Sequence, residues 1–539
     1  MDISLSLIEI AKACKGEVIS PINIDNIRVD SISTDSRKNV FGDLFIALVG
    51  EKFDAHEYID KVIAEEVLAI VVSDKNRAAE WGVALPVVLV EDTNQALLDI
   101  ARLYREKLDT KIIAITGSVG KTSTKDTIAQ ALSVGNKVYK TEQNLNNNFG
   151  VAYTLLDVPS DSDFAVVELG MDGLGQIEII ANASRPDFGV ITNIGTSHIE
   201  LLGNRRNILH AKAELLEGIK DGAPLILNAE DPYLLALAKA EQANRPIILV
   251  DTSGLSARLR SVLAEDSGLD SNGEDNIAEL SEILSSYTGP DSLGSINSLD
   301  SLDSFVASDK GNQAETVSGT RYKADNIKAN QDGLSFTVYK GIGSDLEELV
   351  EMQVRVFGPQ IVENLLYGLA IADLTGQDLS LIAKDIAQSL KVSKSRQELI
   401  KLDNDILLID DSYNASPESM KSAFALTEML TEHMGYEQKI GVIGGINELG
   451  DYSEALHADV AKALAEADFD QVALIGPQAE NMKLVISGKS PQTATKIFKD
   501  NQEIIEWLDT LDYKNTIILV KGSRGFALDE VVTALKENG

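Results

Sequence analysis

Short apolar runs alternate with stretches of helical period along most of this chain. Near the start, MDISLSLIEIAKACKG sets its apolar residues on one face of an amphipathic helix, and Leu44–Leu48, Ala69–Val72 and Val87–Val90 read as short strands among helices. Lys111–Thr116 (KIIAIT) is a continuous apolar run, as expected of a strand covered on both faces; a glycine turn and a helix from about Lys121 to Ser133 follow it. Further strands are predicted at Ala165–Leu169, Val190–Asn193, Leu225–Asn228 and Ile247–Val250, each separated from the next by helical sequence. Residues from about 253 to 318 break this rhythm. They are rich in Ser, Asp, Gly and Asn and read as a flexible insertion, with room for one short helix near Ile277–Ser285. The pattern resumes near Arg321, and a last unit from about Phe357 has strands at Ile406–Asp410, Ile440–Ile443, Val472–Ile475 and Ile517–Lys521. Strand alternating with helix predicts the α/β class with mainly parallel sheets. Three domains are expected: residues 1–105, a small α/β unit; 106–355, with the insertion; and 356–539, a Rossmann-like unit. The last carries no GxGxxG, so dinucleotide binding is not expected of it.

Length and charge narrow the picture. A chain of 539 residues accommodates three or four domains at roughly 150 residues each. It has 48 basic against 84 acidic residues, a net charge of −36, which repels a phosphate backbone and argues against nucleic-acid binding. The single cysteine, Cys14, allows no disulfide within the chain and fits a reducing compartment. The first residues lack the basic segment of a secretion signal, and the apolar runs are far too short to span a bilayer. A cytoplasmic protein without membrane insertion is expected.

The most specific chemistry lies at Thr116-Gly117-Ser118-Val119-Gly120-Lys121-Thr122-Ser123, between a predicted strand and a predicted helix. In that setting glycines let the backbone wrap, so that its N–H groups point at phosphate oxygens. Lys121 is suited to neutralise the β- and γ-phosphates of ATP, and the Thr122 hydroxyl to ligate Mg2+. The spacing is GxxGKT; the longer GxxxxGK[ST] form would need glycine at position 115, which is isoleucine. A bare glycine turn before a helix is the competing reading.

This loop and the segments after it resemble the Mur ligase family, over nearly the whole chain except the Ser/Asp-rich insertion. STDSRKNVFGDLFIALVGEKFDAHEYI (33–59) is similar to the family's UDP-substrate module, which implies that Ser33, Thr34, Ser36 and Arg37 hold a uridine diphosphate. TEQNLNNNFGVAYTLL (141–156) resembles the branch that adds D-alanyl-D-alanine, which implies that Asn144, Asn146 and Asn147 contact the UDP-sugar-peptide. By the same resemblance Glu168 in VVELG, His198 in ITNIGTSHIELLG and Lys212 in HAKAELLEGI stand around Mg2+, with Lys212 taking up CO2 as a carbamate. Without it, Glu168 reads as a solvated loop charge, His198 as a helix-start histidine and Lys212 as a solvated helix residue.

In the last domain Ser395-Arg396-Gln397-Glu398 resembles the family's GR-x-E, and Asp410-Asp411-Ser412-Tyr413-Asn414-Ala415 its DDSYNA. These assign Arg396, Asp411 and Asn414 to the nucleotide, together with Asn364. ELGDYSEALH (448–457) and LVKGSRG (519–525) also match, with His457, Lys521 and Arg524 placed beside an incoming dipeptide. Two segments depart. The family's HNV-x-NA is Gln360-Ile361-Val362-Glu363-Asn364-Leu365 here, and GDM before ELG is Gly445-Ile446-Asn447. The implied activity is ATP- and Mg2+-dependent ligation of D-alanyl-D-alanine to UDP-N-acetylmuramoyl-tripeptide through an acyl phosphate, in peptidoglycan precursor synthesis, by a monomer. Two alternatives stay open: a Mur-type ligase of other amino-acid specificity, and a non-catalytic nucleotide- or UDP-sugar-binding relative.

Overall fold

The computed structural model describes residues 4–38, 40–252, 317–330, 333–403, 405–511 and 514–538. The Ser/Asp-rich insertion, apart from its last two residues, and the helix expected near 277–285 lie outside the described residues. The fold is α/β with sheets dominated by parallel pairs, as the alternation of strand and helix predicts. The chain divides into two compact units, one of residues 1–116, 135–190 and 213–223, the other of 117–134, 191–212 and 224–539.

The first unit contains a five-stranded sheet in the order Glu17–Ile19, Val87–Leu89, Ala69–Val72, Leu44–Ile46, Ile32–Ser33. Only the first pair is antiparallel. Its three central strands are apolar without interruption because both faces are covered, and Phe45, Ile59, Ile70 and Trp81 share one core. The 15-residue helix Thr93–Lys107 begins where the Asp92 carboxylate accepts the N–H groups of Asn94 and Gln95, and it packs on the helices Asn148–Asp157 and Gln176–Ser184. The same unit holds the strands Val138–Lys140, Phe164–Glu168, Lys111–Thr116 and Phe188–Ile191, side by side in that order. Glu168 is in register with Ile115, so its carboxylate stands at the carboxyl end of the sheet, two residues before the glycine loop begins.

In the second unit Leu225–Asn228, Ile247–Asp251 and Thr320–Asn330 run parallel, and Thr320–Asn330, Gly333–Ile342 and Asp345–Val354 form an antiparallel ribbon. The Ile342–Asp345 link is too short for a crossover helix, and Gly343 takes the positive φ of a tight hairpin. The unit's six-stranded sheet has the order Glu398–Leu402, Ile406–Asp411, Thr516–Lys521, Gln438–Gly444, Gln471–Ile475, Ala494–Phe498, parallel throughout except for its first pair. Leu408, Val442, Ile518 and Val520 pack with Trp507 and Leu528 in its core.

Candidate functional site

The glycine loop leaves the strand Lys111–Thr116 and enters the helix Lys121–Leu132 through two residues of positive φ, Gly117 at +149° and Gly120 at +86°. A Cβ on Gly117 would lie 1.9 Å from Thr192 Oγ1, so only glycine fits there. Thr192 and Asn193 follow the strand Phe188–Ile191 and hold the loop's shape. Ser118 N–H donates to Asn193 O (3.0 Å) and Val119 N–H to Asn193 Oδ1 (2.9 Å), while Thr192 Oγ1 and Asn193 Nδ2 donate to Val119 O (2.6 and 3.1 Å). The helix that follows has Gly120 at its N-cap and no side-chain cap, so its first-turn N–H groups and dipole suit an anion. Lys121 opens that helix, with its ammonium on Gly117 O (2.8 Å).

Groups from the rest of the second unit converge on the same helix. Asn364, buried in the helix Pro359–Leu374, accepts from Thr124 Oγ1 (2.9 Å), and Arg396 Nη2 donates to Thr122 Oγ1 (3.0 Å). The Arg396 guanidinium lies 4.1 Å from the centre of the Tyr413 ring, and that of Arg524 lies 5.9 Å from it. Ser123 is half-buried beside Thr122. Lys212 is fully buried; burial first, and the charge of Lys121 second, push its amine well below the usual lysine range. A solvated helix position is thus excluded, and a neutral amine is favoured. His198 takes a left-handed backbone (φ +64°), with Nδ1 2.8 Å from Glu448 Oε2.

Asp411 and Lys521 form a buried ion pair at 2.7 Å, and Lys521 also donates to Asn414 O (3.2 Å). Burial raises the Asp411 carboxyl above its usual range, and Lys521 and Arg396 oppose that shift. Arg524 is largely exposed, 3.5 Å from Asp529. The buried His457 is engaged at both nitrogens. Nε2 accepts from Ile446 N–H (2.9 Å) and Nδ1 faces Ser453 O (2.7 Å), while burial lowers its pKa. That imidazole holds the Gly445–Asn447 turn in place. In the other divergent segment, Gln360 and Asn228 both donate to Glu363 (3.1 Å each), whose carboxyl is pushed up to about 8 by burial and by Glu230.

The first unit holds two further groups of the expected residues. Thr34 Oγ1 lies 2.7 Å from Tyr153 OH, beside Ser33 at its strand end. Ser36 is buried and its carbonyl accepts from Lys61 Nζ (2.7 Å). Arg37 is 86% exposed and forks onto Asp35 at 2.8 and 3.0 Å, next to a shallow cleft lined by Lys38, Phe41 and Glu65. In the second group Asn146 Nδ2 donates to the buried Glu168 Oε1 (2.9 Å). Asn147 caps the helix Asn148–Asp157 through Gly150 N–H (2.9 Å), and Asn144 sits exposed in the preceding turn. Gly170 allows this approach, since a Cβ there would come within 2.7 Å of the Asn146 amide.

The sequence alone does not single out Thr192, Asn193, Glu448 or Glu418, whose carboxylate accepts from Thr196. Only the polar Thr-Asn pair closing an apolar strand was a usable signal.

Comparison with known proteins bears on this arrangement. Residues 115–289 match the Mur ligase middle domain, and residues 395–524 match the Mur ligase glutamate ligase domain. The chain is 30% identical over 540 residues to the UDP-N-acetylmuramoyl-tripeptide--D-alanyl-D-alanine ligase of Escherichia coli K12, covering 100% of this chain and 99% of that one. It is 28% identical over 536 residues to the ligase of the same name from Bacillus subtilis, covering 98% of both. The crystal structure of MurF from Acinetobacter baumannii superposes with a TM-score of 0.75 at 25% identity, over 100% of both chains.

Proposed function

The chain belongs to the Mur ligase family, and from that premise we propose that it joins D-alanyl-D-alanine to UDP-N-acetylmuramoyl-tripeptide with ATP, forming ADP and phosphate. One observation carries the reading. A glycine loop opens an uncapped helix at Lys121, and a fully buried lysine, Lys212, is close enough to feel the charge of Lys121. A neutral buried amine is the form that adds to CO2, and the resulting carbamate replaces a buried positive charge with an anion that a divalent cation can share. The full-length likeness to enzymes named for this dipeptide supports the choice of amine substrate.

A carboxylate resists attack by an amine because it is resonance-stabilised and negatively charged. Transfer of the γ-phosphoryl group to the tripeptide's terminal carboxylate makes an acyl phosphate and releases ADP. The dipeptide amine then attacks the acyl carbon, phosphate leaves with the C–O bond electrons, the amine loses a proton and the amide remains. In this reading Gly117 to Gly120 and the first turn, including Ser123, seat the phosphates. Lys121 neutralises the transferring group, and Arg396, Asn364, Asp411 and Asn414 serve the nucleotide side. Ser33, Thr34, Ser36, Arg37, Asn144, Asn146 and Asn147 are assigned to the UDP-sugar-peptide, and Lys521 and Arg524 to the dipeptide side.

Hydroxyl and carboxylate oxygens of the kind proposed here are compatible with Mg2+. Among the described residues no three His, Cys, Asp or Glu side chains gather as a ready-made cation cage. On the family resemblance, the Thr122 hydroxyl, His198 and a Lys212 carbamate in the second unit and the Glu168 carboxylate in the first are each proposed as donors. When bound, Mg2+ would offset phosphoryl charge. Among the described residues no helix is long and apolar enough to cross a membrane. A cytoplasmic monomer built of domains 1–105, 106–355 and 356–539 completes the proposal.

The test is a coupled assay with ATP, Mg2+, bicarbonate and both lysine- and diaminopimelate-containing UDP-tripeptides. Mass spectrometry should find UDP-pentapeptide in step with phosphate release. Turnover with single amino acids but not the dipeptide, or nucleotide binding with no product, would overturn the reading.

A further inference from the structure

The loop 195–198, which follows the strand bordering the phosphate loop, is gripped by two carboxylates from the C-terminal part of the second unit. Glu418, in the first turn of the helix Pro417–Met434, accepts both the N–H and the hydroxyl of Thr196, each at 2.9 Å. The approach is close at the preceding position too, where a Cβ on Gly195 would lie 3.0 Å from the Glu418 carboxylate. The gripped segment rests directly on the phosphate loop. Gly195 N–H donates to Ser118 Oγ (2.9 Å), and Ser197 Oγ donates to Ser118 O (3.3 Å).

Two residues after Thr196, His198 Nδ1 meets Glu448 Oε2 at 2.8 Å. Nδ1 has this carboxylate as its close neighbour without an aligned hydrogen bond to it. Both residues hold left-handed backbones, His198 at φ +64° and Glu448 at φ +63°. Each such conformation costs a non-glycine residue on the order of 1 kcal/mol and persists only where its surroundings enforce it. The surroundings here are specific. Glu200 N–H reaches Glu448 O (3.4 Å), Gly450 packs against the Glu200 side chain, and Tyr452 OH donates to Gly203 O (2.6 Å).

The geometry points to Glu418 and Glu448 as positioning residues, a two-carboxylate clasp that shapes the loop 195–198 over Ser118 and turns the His198 ring so that Nε2 is its free working edge. A carboxylate on one ring nitrogen fixes the orientation of an imidazole and makes the other nitrogen a better donor to a cation. The inference rests on the proposed role of His198 at the Mg2+·nucleotide site and names what aims it.

A double-mutant cycle on the full chain tests it, read by calorimetric titration of Mg2+ with a non-hydrolysable ATP analogue. Glu448→Gln keeps the side chain's shape and removes its charge. It is expected to weaken binding of the Mg2+·analogue about tenfold and to lower kcat while leaving the KM for the dipeptide unchanged. In a His198→Ala background the same substitution is expected to shift affinity by less than about twofold, because the group it aims is gone. Glu448→Asp, which keeps the charge, should recover part of the loss. Glu418→Ala should weaken the same binding, and combining it with Glu448→Gln should cost less than the product of the two, since both act on one loop. Thermal unfolding checks that each variant is folded. Equal losses with and without His198, fully multiplicative losses, or wild-type affinity in Glu448→Gln would each overturn the clasp. Wild-type protein that binds the analogue yet makes no UDP-pentapeptide would instead sink the ligase reading, and the binding cycle would still decide the clasp.

Discussion

Replacing Lys212 with methionine removes one titratable amine and little else, because the two side chains have similar length and the site is fully buried. Burial and Lys121 hold the folded-state pKa of Lys212 well below the lysine range, whereas the unfolded chain keeps the ordinary value. Between those two values the unfolded state therefore binds a proton that the folded state does not. In that window wild-type stability falls as pH falls, by up to about 1.4 kcal/mol per unit, and above the ordinary lysine value the penalty vanishes. Lys212→Met has no such group, so its stability curve should stay flat relative to wild type. Lowering the pH by one unit within the window should then widen the gap between the two by up to about 1.4 kcal/mol. For a cooperative unit of 150–250 residues this amounts to roughly 3–6 °C in Tm. The measurement is differential scanning calorimetry of both proteins in CO2-free buffer across the alkaline range. Bicarbonate should shift only the wild-type transition, and 13C NMR with labelled bicarbonate should show a carbamate resonance that the variant lacks. The substitution should also abolish UDP-pentapeptide formation. Parallel pH curves would show that Lys212 keeps its proton on folding, and full turnover by Lys212→Met would remove the carbamate from the mechanism.

Two further substitutions probe the neighbourhood. Lys521→Met strands the buried Asp411 carboxylate, which should cost about 3–5 kcal/mol in urea denaturation of the C-terminal strands, and adding Asp411→Asn should restore a substantial part. Gly117→Ala would press a methyl group to within 1.9 Å of Thr192 Oγ1 at a φ that L-residues rarely adopt, so equilibrium dialysis should find nucleotide binding abolished while far-UV circular dichroism is little changed.

How much of this was readable beforehand depended on whether the cause was local. Lys111–Thr116 forms a strand over the predicted residues because an unbroken apolar run has only a doubly covered sheet position to occupy. The turn after it was legible because Gly117 and Gly120 sit where positive φ is required. The strand Glu398–Leu402 was not foreseen. It lies at the sheet's edge, partly exposed, with Glu398 and Lys401 breaking any period of two, so its pairing with Ile406–Asp411 supplies an order that its own sequence does not. Lys212 shows the same limit at the level of chemistry. Nothing within three residues distinguishes it from a solvated helix lysine; its burial is set by the surrounding fold, and only the family resemblance singled it out.

The contact between Arg396 and Thr122 carries that reasoning one step further. Arg396 lies 274 residues from Thr122 in sequence, yet its guanidinium donates to the hydroxyl proposed to meet Mg2+. The hydroxyl oxygen has two lone pairs, so one can accept from Arg396 while the other would be left for the cation. With Mg2+ on the other lone pair, Arg396 would remain beside the phosphate-binding turn, its guanidinium over the Tyr413 ring. Tyr413, two residues after the strand that ends in Asp411, thereby sets where that arginine stands, and the same strand end puts Asp411 and the ring on one edge of the sheet.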